Sequence, residues 1–188
     1  MTRETLDTEL FGRDVSFEYA DHWVGYSLFF LRVVMGWTLF QAGVDKLVTY
    51  LDADPTNDWT AAGFLLHVPA GNPFAGFFAD LAGNGLVDIL NVWGLTLCGL
   101  ALLLGAFVRW SAFWGAVMML FYWAASLHGG LLAGLPLQNG WVVDDHIVYA
   151  LLLFGLGAFG AGRILGLDSA IEKVGVVRSN PWLRYVLG

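Results

Sequence analysis

Long apolar stretches, broken by very few charges, dominate the pattern of this chain. The first runs from Trp23 to Val44, about 22 residues, enough to cross a hydrocarbon layer of about 30 Å at 1.5 Å per residue. Three more follow, Leu86–Val108, Trp110–Leu127 and Trp141–Ala161, each of about 18 to 23 residues. Runs of this length and polarity predict spanning helices. The chain therefore reads as all-α, an integral membrane four-helix bundle with spans at about 23–44, 86–108, 110–127 and 141–161. Almost nothing separates the second and third spans, which forces an antiparallel helical hairpin. Gly94, Gly99 and Gly105 in the second span, and Gly155, Gly157, Gly160 and Gly162 near the end of the fourth, are expected to let helices approach closely.

The segments between and around the spans divide the chain further. Residues 45–85 start polar and then carry two short apolar pieces, Trp59–Val68 and Phe74–Ala82, split by a turn from Pro69 to Pro73. Neither piece is long enough to span, so each suits a short interfacial helix, and together they predict an outer lid over the bundle. Asn72 followed by Pro73 reads as a helix cap and first helical position. Residues 1–21 hold six carboxylates (Glu4, Asp7, Glu9, Asp14, Glu18, Asp21) against Arg3 and Arg13. A signal peptide has a basic start and an early apolar run, so this segment is expected to be an acidic cytoplasmic tail. Residues 22–168 form the helical domain and 169–188 a cytoplasmic interfacial tail. In that tail Ser169 to Glu172 resembles a capping box, and Pro181 to Tyr185 an interfacial anchor.

Composition agrees with a membrane protein. The chain is 57% hydrophobic and 13% charged, against about 25% charged in ordinary soluble domains. The single cysteine, Cys98, excludes an intramolecular disulfide, a cysteine zinc site and an iron–sulfur cluster held by this chain alone. A net charge of −7 gives no basic surface for nucleic acid. With only two lysines, the acidic balance also suggests a high-salt cytosol. Placing both termini inside puts Arg3, Arg13, Arg109, Arg163, Lys173, Arg178 and Arg184 on the cytoplasmic side and leaves only Lys46 outside, so the expected topology is N-in and C-in.

Candidate chemistry follows from that orientation. The outer ends of the spans carry Gln41, Asp45 and Lys46, then Asp88 and Asn91, then Ser126 and His128, then Asp144, Asp145 and His146; the lid adds His67. Polar groups converging under apolar walls are the usual form of a small-molecule site. Arg32 lies within the first run, where a guanidinium that keeps its proton is costly. With no carboxylate at its depth in another span, it is expected either to reach up to an anion or quinone carbonyl or to knit the bundle through backbone carbonyls. Asp144 and Asp145 suit a helix N-terminus; His146 suits proton transfer. His128 and His146 lack any ligand-spacing signature, so no metal or haem is expected.

Leu31–Gly36, Phe40–Gly43 and Asp45–Leu47 together resemble the first-helix signature of DoxX-type membrane proteins, and Gly160–Asp168 is similar to that family's glycine-rich close of the fourth helix. Asp145–Tyr149 looks like the DoxD-type branch, the membrane subunit of thiosulfate:quinone oxidoreductase. The resemblance spans residues 24–168. It implies a quinone-linked subunit oxidising thiosulfate or a related sulfur anion, with Arg32 and Lys46 as anion or quinone contacts. Arg32, Asp145 and His146 are then the expected catalytic residues; Arg32, Lys46, Gln41, Asp88, Asn91 and His128 are the expected substrate contacts. Lipid, quinone, and either further copies or a second subunit are the expected partners, since no dinucleotide fingerprint, haem motif or redox cysteine pair is present. A non-enzymatic scaffold or assembly partner of a redox complex is the alternative.

Overall fold

The computed structural model describes residues 3–51, 54–69, 71–127 and 143–188. Its first element is a β-hairpin within the acidic segment expected at the start of the chain, where no strand is expected. Strand β1 (Arg3–Leu10) pairs antiparallel with β2 (Arg13–Ala20). The connecting residues Phe11 and Gly12 both have positive φ, 52° and 74°, as a two-residue hairpin turn requires. The register sets Leu6 opposite Phe17 and Thr8 opposite Val15 on one face, and Asp7 opposite Ser16 and Glu9 opposite Asp14 on the other. Alternation at period two, masked in the sequence by the number of carboxylates, makes these strands.

Helix α1 (Asp21–Leu47) continues directly from the hairpin and ends in a 3-10 turn over Val48–Leu51. Two short helices, α2 (Ala62–Leu65) and α3 (Ala75–Leu81), precede α4 (Gly85–Leu104), α5 (Val108–Ser126) and α6 (Asp145–Ala158). Two more short helices, α7 (Asp168–Ile171) and α8 (Gly175–Ser179), follow. We call the end bearing the C-terminus of α1 the upper end. Helices α1 and α4 are long and apolar enough to cross a membrane; α6 is an apolar helix of shorter length. The second span ends earlier than 108, because Gly105 adopts φ 65° and closes α4 with a left-handed cap. The fourth starts later than 141, with Asp144 as N-cap accepting from Ile147 N–H at 3.1 Å.

Helix α1 packs on α4, and α5 on α6, around Met35, Leu39, Leu95, Leu102, Met119 and Leu153. Glycine decides how closely the first pair meets. A Cβ on Gly99 would lie 2.5 Å from Cα of Phe40, and one on Gly43 2.8 Å from Cα of Thr96, so neither site admits a side chain without moving backbone. Gly155, expected at a helix contact, instead has open space beside it.

The lower end favours the second of the two expectations for Arg32, contact with a backbone carbonyl inside the bundle. Its side chain is buried, but it points down, away from the upper end, and lies between Gly105 and Gly166. Nη2 donates to Leu165 O at 3.3 Å, and the guanidinium carbon sits 5.6 Å from the Phe29 ring centroid. Its carboxylate neighbour is Asp168, which comes from beyond the last long helix and was therefore invisible to a comparison of spans. Asp168 is fully buried. It accepts from Phe107 N–H (2.7 Å), Val108 N–H (3.1 Å) and Gly188 N–H (2.8 Å). The first two open α5, whose own N-cap residue supplies no side-chain bond. Leu167 and Asp168 also donate backbone N–H groups to Leu104 O and Gly105 O, closing α4. One short loop thus caps two helices.

The expected capping box at Ser169 is not formed, because α7 begins at Asp168 and Glu172 turns to Arg163, at 3.1 and 2.5 Å. Hydrogen bonding to Arg163 holds the Glu172 carboxyl below its ordinary range. Its contribution is therefore complete above that range and lost as pH falls through the lowered value. Thermal unfolding in detergent should show a flatter acid limb for Glu172→Gln than for wild type. Asp168→Ala should cost about 3–5 kcal/mol, since it strips two helix N–H groups of their acceptor and leaves a buried cation. Arg32→Ala should cost less, about 1.5–3 kcal/mol, the worth of a hydrogen bond to a charged group. Comparison of denaturation midpoints of the two variants tests this ranking.

Candidate functional site: a lidded cavity at the upper end

At the upper end, α1, α4, α5, α6 and the segment before α4 line a partly open cavity of about 740 Å³. That volume falls within the range of small-molecule pockets. Its floor is apolar, formed by Leu39, Leu95 and Met119. The roof comes from Trp59, Phe64, Leu65 and Phe78, of which Leu65 and Phe78 cluster with Ala61 and Ala125.

Side-chain hydrogen bonds hold the roof down. Asp88 on α4 accepts from Ala61 N–H at 2.7 Å and from Thr60 Oγ1 at 3.4 Å. Asn72 Nδ2 donates to the terminal carbonyls of α5, Ala124 O (2.8 Å) and Ala125 O (3.1 Å), while its Oδ1 accepts from Phe74 N–H at 2.7 Å. Asn72 thus turns the chain ahead of α3, which starts at Ala75, and satisfies carbonyls that α5 leaves open. Thr49 Oγ1 accepts from Trp59 N–H at 2.8 Å, and Tyr50 donates its hydroxyl to Trp59 O.

Three polar groups of the cavity, Asn91, Tyr122 and His146, gather on the wall formed by α4, α5 and α6. Asn91 Nδ2 donates to the Tyr122 hydroxyl at 2.6 Å, and the Tyr122 and His146 rings meet edge to face with centroids 5.6 Å apart. His146 Nδ1 lies 2.8 Å from Asp144 Oδ2 and 3.4 Å from Asp145 Oδ1. With Nδ1 held by a carboxylate, Nε2 is the nitrogen left for a bound molecule. On the opposite side Lys46 donates to Ala42 O at 2.9 Å, with its ammonium 5.2 Å from the Trp59 ring centroid.

The expected contacts therefore separate. Lys46, Asn91 and His146 line the cavity. Asp88 serves the lid backbone, and Gln41 is exposed outside the cavity. Asp145 lies beside His146 with its side chain 66% exposed, so it borders the site from solvent. Arg32 belongs to the lower end and does not line this cavity, because its guanidinium lies beside Gly105 and Gly166. His128 lies outside the described residues. His67 bonds Gly63 O at 2.6 Å instead of lining the cavity. Sequence reading missed Tyr122, Tyr149 and Trp59, and read Asn72 only as a helix cap. Tyr122 carried a signal, a hydroxyl one turn from the end of an apolar helix. Asp144, Asp145 and His146 bring potential metal-ligand atoms within 4.8 Å of one another, but Asp144 and Nδ1 of His146 are already hydrogen-bonded.

The DoxX family model matches residues 27–129, more than half of the chain. The chain belongs to the DoxX family. This matched region holds α1, the lid, α4 and α5 of the DoxX protein, and thus most of the cavity wall. No curated protein and no solved structure matches the chain. DoxX membership and two apolar helices of spanning length make it a membrane protein.

Asp88→Ala should free Ala61 N–H and loosen the roof of this DoxX protein. Hydrogen exchange at residues 59–68 is expected to accelerate several-fold, while exchange within α4 and α5 stays unchanged.

Proposed function

We propose that this DoxX-family protein is a multi-pass, quinone-linked membrane oxidoreductase subunit with both termini cytoplasmic, and that the cavity receives the quinone head. One observation carries the reading: an apolar chamber in which three polar groups, Asn91, Tyr122 and His146, converge on a single wall. The fit to a quinone is chemical. Its ring suits the apolar floor and the Phe78 side of the roof, and its carbonyl oxygens suit the Tyr122 hydroxyl and the His146 ring. Quinone supplies the redox chemistry, taking up two electrons and two protons. His146, held through Nδ1 by Asp144, passes protons through Nε2, and exposed Asp145 links that ring to water.

Lys46 at the mouth attracts an anionic donor, with Trp59 keeping the ammonium in place. Thiosulfate or a related sulfur anion is the donor that the DoxD-type likeness of Asp145–Tyr149 suggests. Arg32 is assigned a structural role here, in place of the catalytic one expected from sequence.

Thiosulfate-dependent quinone reduction in native membranes, with sulfite and sulfide as comparison donors, tests the proposal. The rate should vanish without the chain and return with wild type. His146→Gln should lower it about 10²–10⁴-fold, and folded Arg32→Ala should keep it. Absence of any rate with abundant, folded chain would sink the enzymatic reading and favour a scaffold.

A further inference from the structure

Two exposed surfaces at the lower end have complementary chemistry, and neither covers the other within one chain. The first is the hairpin. Its apolar face exposes Leu6, Leu10 and Phe17, and Phe11 stands fully exposed at the tip. Residues 3–20 hold five carboxylates against two arginines, net −3. The second is the segment of residues 173–188. It exposes Val174, Val176, Trp182 and Tyr185 and carries Lys173, Arg178 and Arg184 with no acidic side chain, net +3. Trp110 N–H donates to Val186 O, which fixes this segment at the start of α5, the same end from which the hairpin leaves α1.

A lone two-stranded hairpin is marginal in water, and apolar patches rimmed by charge mark interaction surfaces. Among the described residues, helix α1 is the element the hairpin touches most outside itself, and none of them covers its apolar face. Like charges oppose hairpin-to-hairpin pairing, and the negative potential of an anionic leaflet opposes a lipid cover. Opposite charge and exposed apolar side chains on both surfaces instead favour the 173–188 surface of a neighbouring copy in the same membrane. Eight residues per strand span about 26 Å, on the order of the width of two packed helices, so the hairpin reaches that far.

We propose that two copies exchange hairpins, each laying its apolar face on residues 173–188 of the other. The two contacts are identical by the symmetry of such an exchange, and the assembly closes as a dimer.

The mass of the full-length protein in nanodiscs, measured by native mass spectrometry, tests this. Wild type should be dimeric. Glu9→Lys with Asp14→Lys turns the hairpin net positive. Lys173→Glu, Arg178→Glu and Arg184→Glu together turn the second surface negative. Each variant alone should dimerise at least 10-fold more weakly, and an equal mixture of the two should recover the dimer, because both contacts of the mixed pair are again attractive. Where the charge variants fold poorly, a mixture of Phe11→Cys and Trp182→Cys copies should form an interchain disulfide. A monomeric wild type, a dimer indifferent to every charge reversal, or a mixture that yields neither mixed dimer nor cross-link would overturn the proposal. None of these readouts depends on the cavity or on quinone.

Discussion

Asp168 is the residue on which the lower half of the molecule depends. A buried carboxylate is tolerable only when its oxygens are engaged, and here three backbone N–H groups do so while the Arg32 guanidinium supplies a nearby positive charge. Two of those donors begin α5, so the charge also faces the positive end of that helix dipole. The loop that supplies Asp168 simultaneously terminates α4. Three glycines, Gly105, Gly162 and Gly166, leave the volume that Arg32 and Asp168 occupy; a Cβ at any of them would strike one of these two side chains. The link of residues 105–107 between α4 and α5 is short because a remote side chain performs the capping that local residues do not.

With the lower end closed by charge, the upper end is free to be shaped by aromatic packing. The lid adheres through Leu65 and Phe78 below and through Asp88 and Asn72 at two separate helices. Both tethers accept or donate at backbone groups, so they fix where the lid lies without prescribing which side chains face the chamber. Trp59 joins the two functions, since its backbone is held from the end of α1 and its ring faces Lys46.

The helices themselves were legible in the sequence, because apolar runs with few charges follow from length and polarity alone. Their ends were less so. Gly105 stops α4 by a left-handed conformation that composition does not reveal, and Asp144 starts α6 through one hydrogen bond. Half of the candidate site was visible, in Lys46, Asn91 and His146, because a polar residue at the edge of an apolar run stands out. Tyr122 and Trp59 did not, since aromatic residues abound in this chain and only contact selects the ones that matter. Arg32 shows the sharper limit. Its depth along the helix was readable, but its direction was not, because the partner that decides it arrives from a loop 136 residues later.

The glycine contacts between α1 and α4 have a mechanical meaning. Where backbone touches backbone at Gly43 and Gly99, α1 and α4 form one plate, and α5 with α6 make the other. The chamber lies along the seam between the plates, whose lower edges the 105–107 link and Asp168 hold together. The lid tethers and the buried charge therefore close that seam at its two opposite ends.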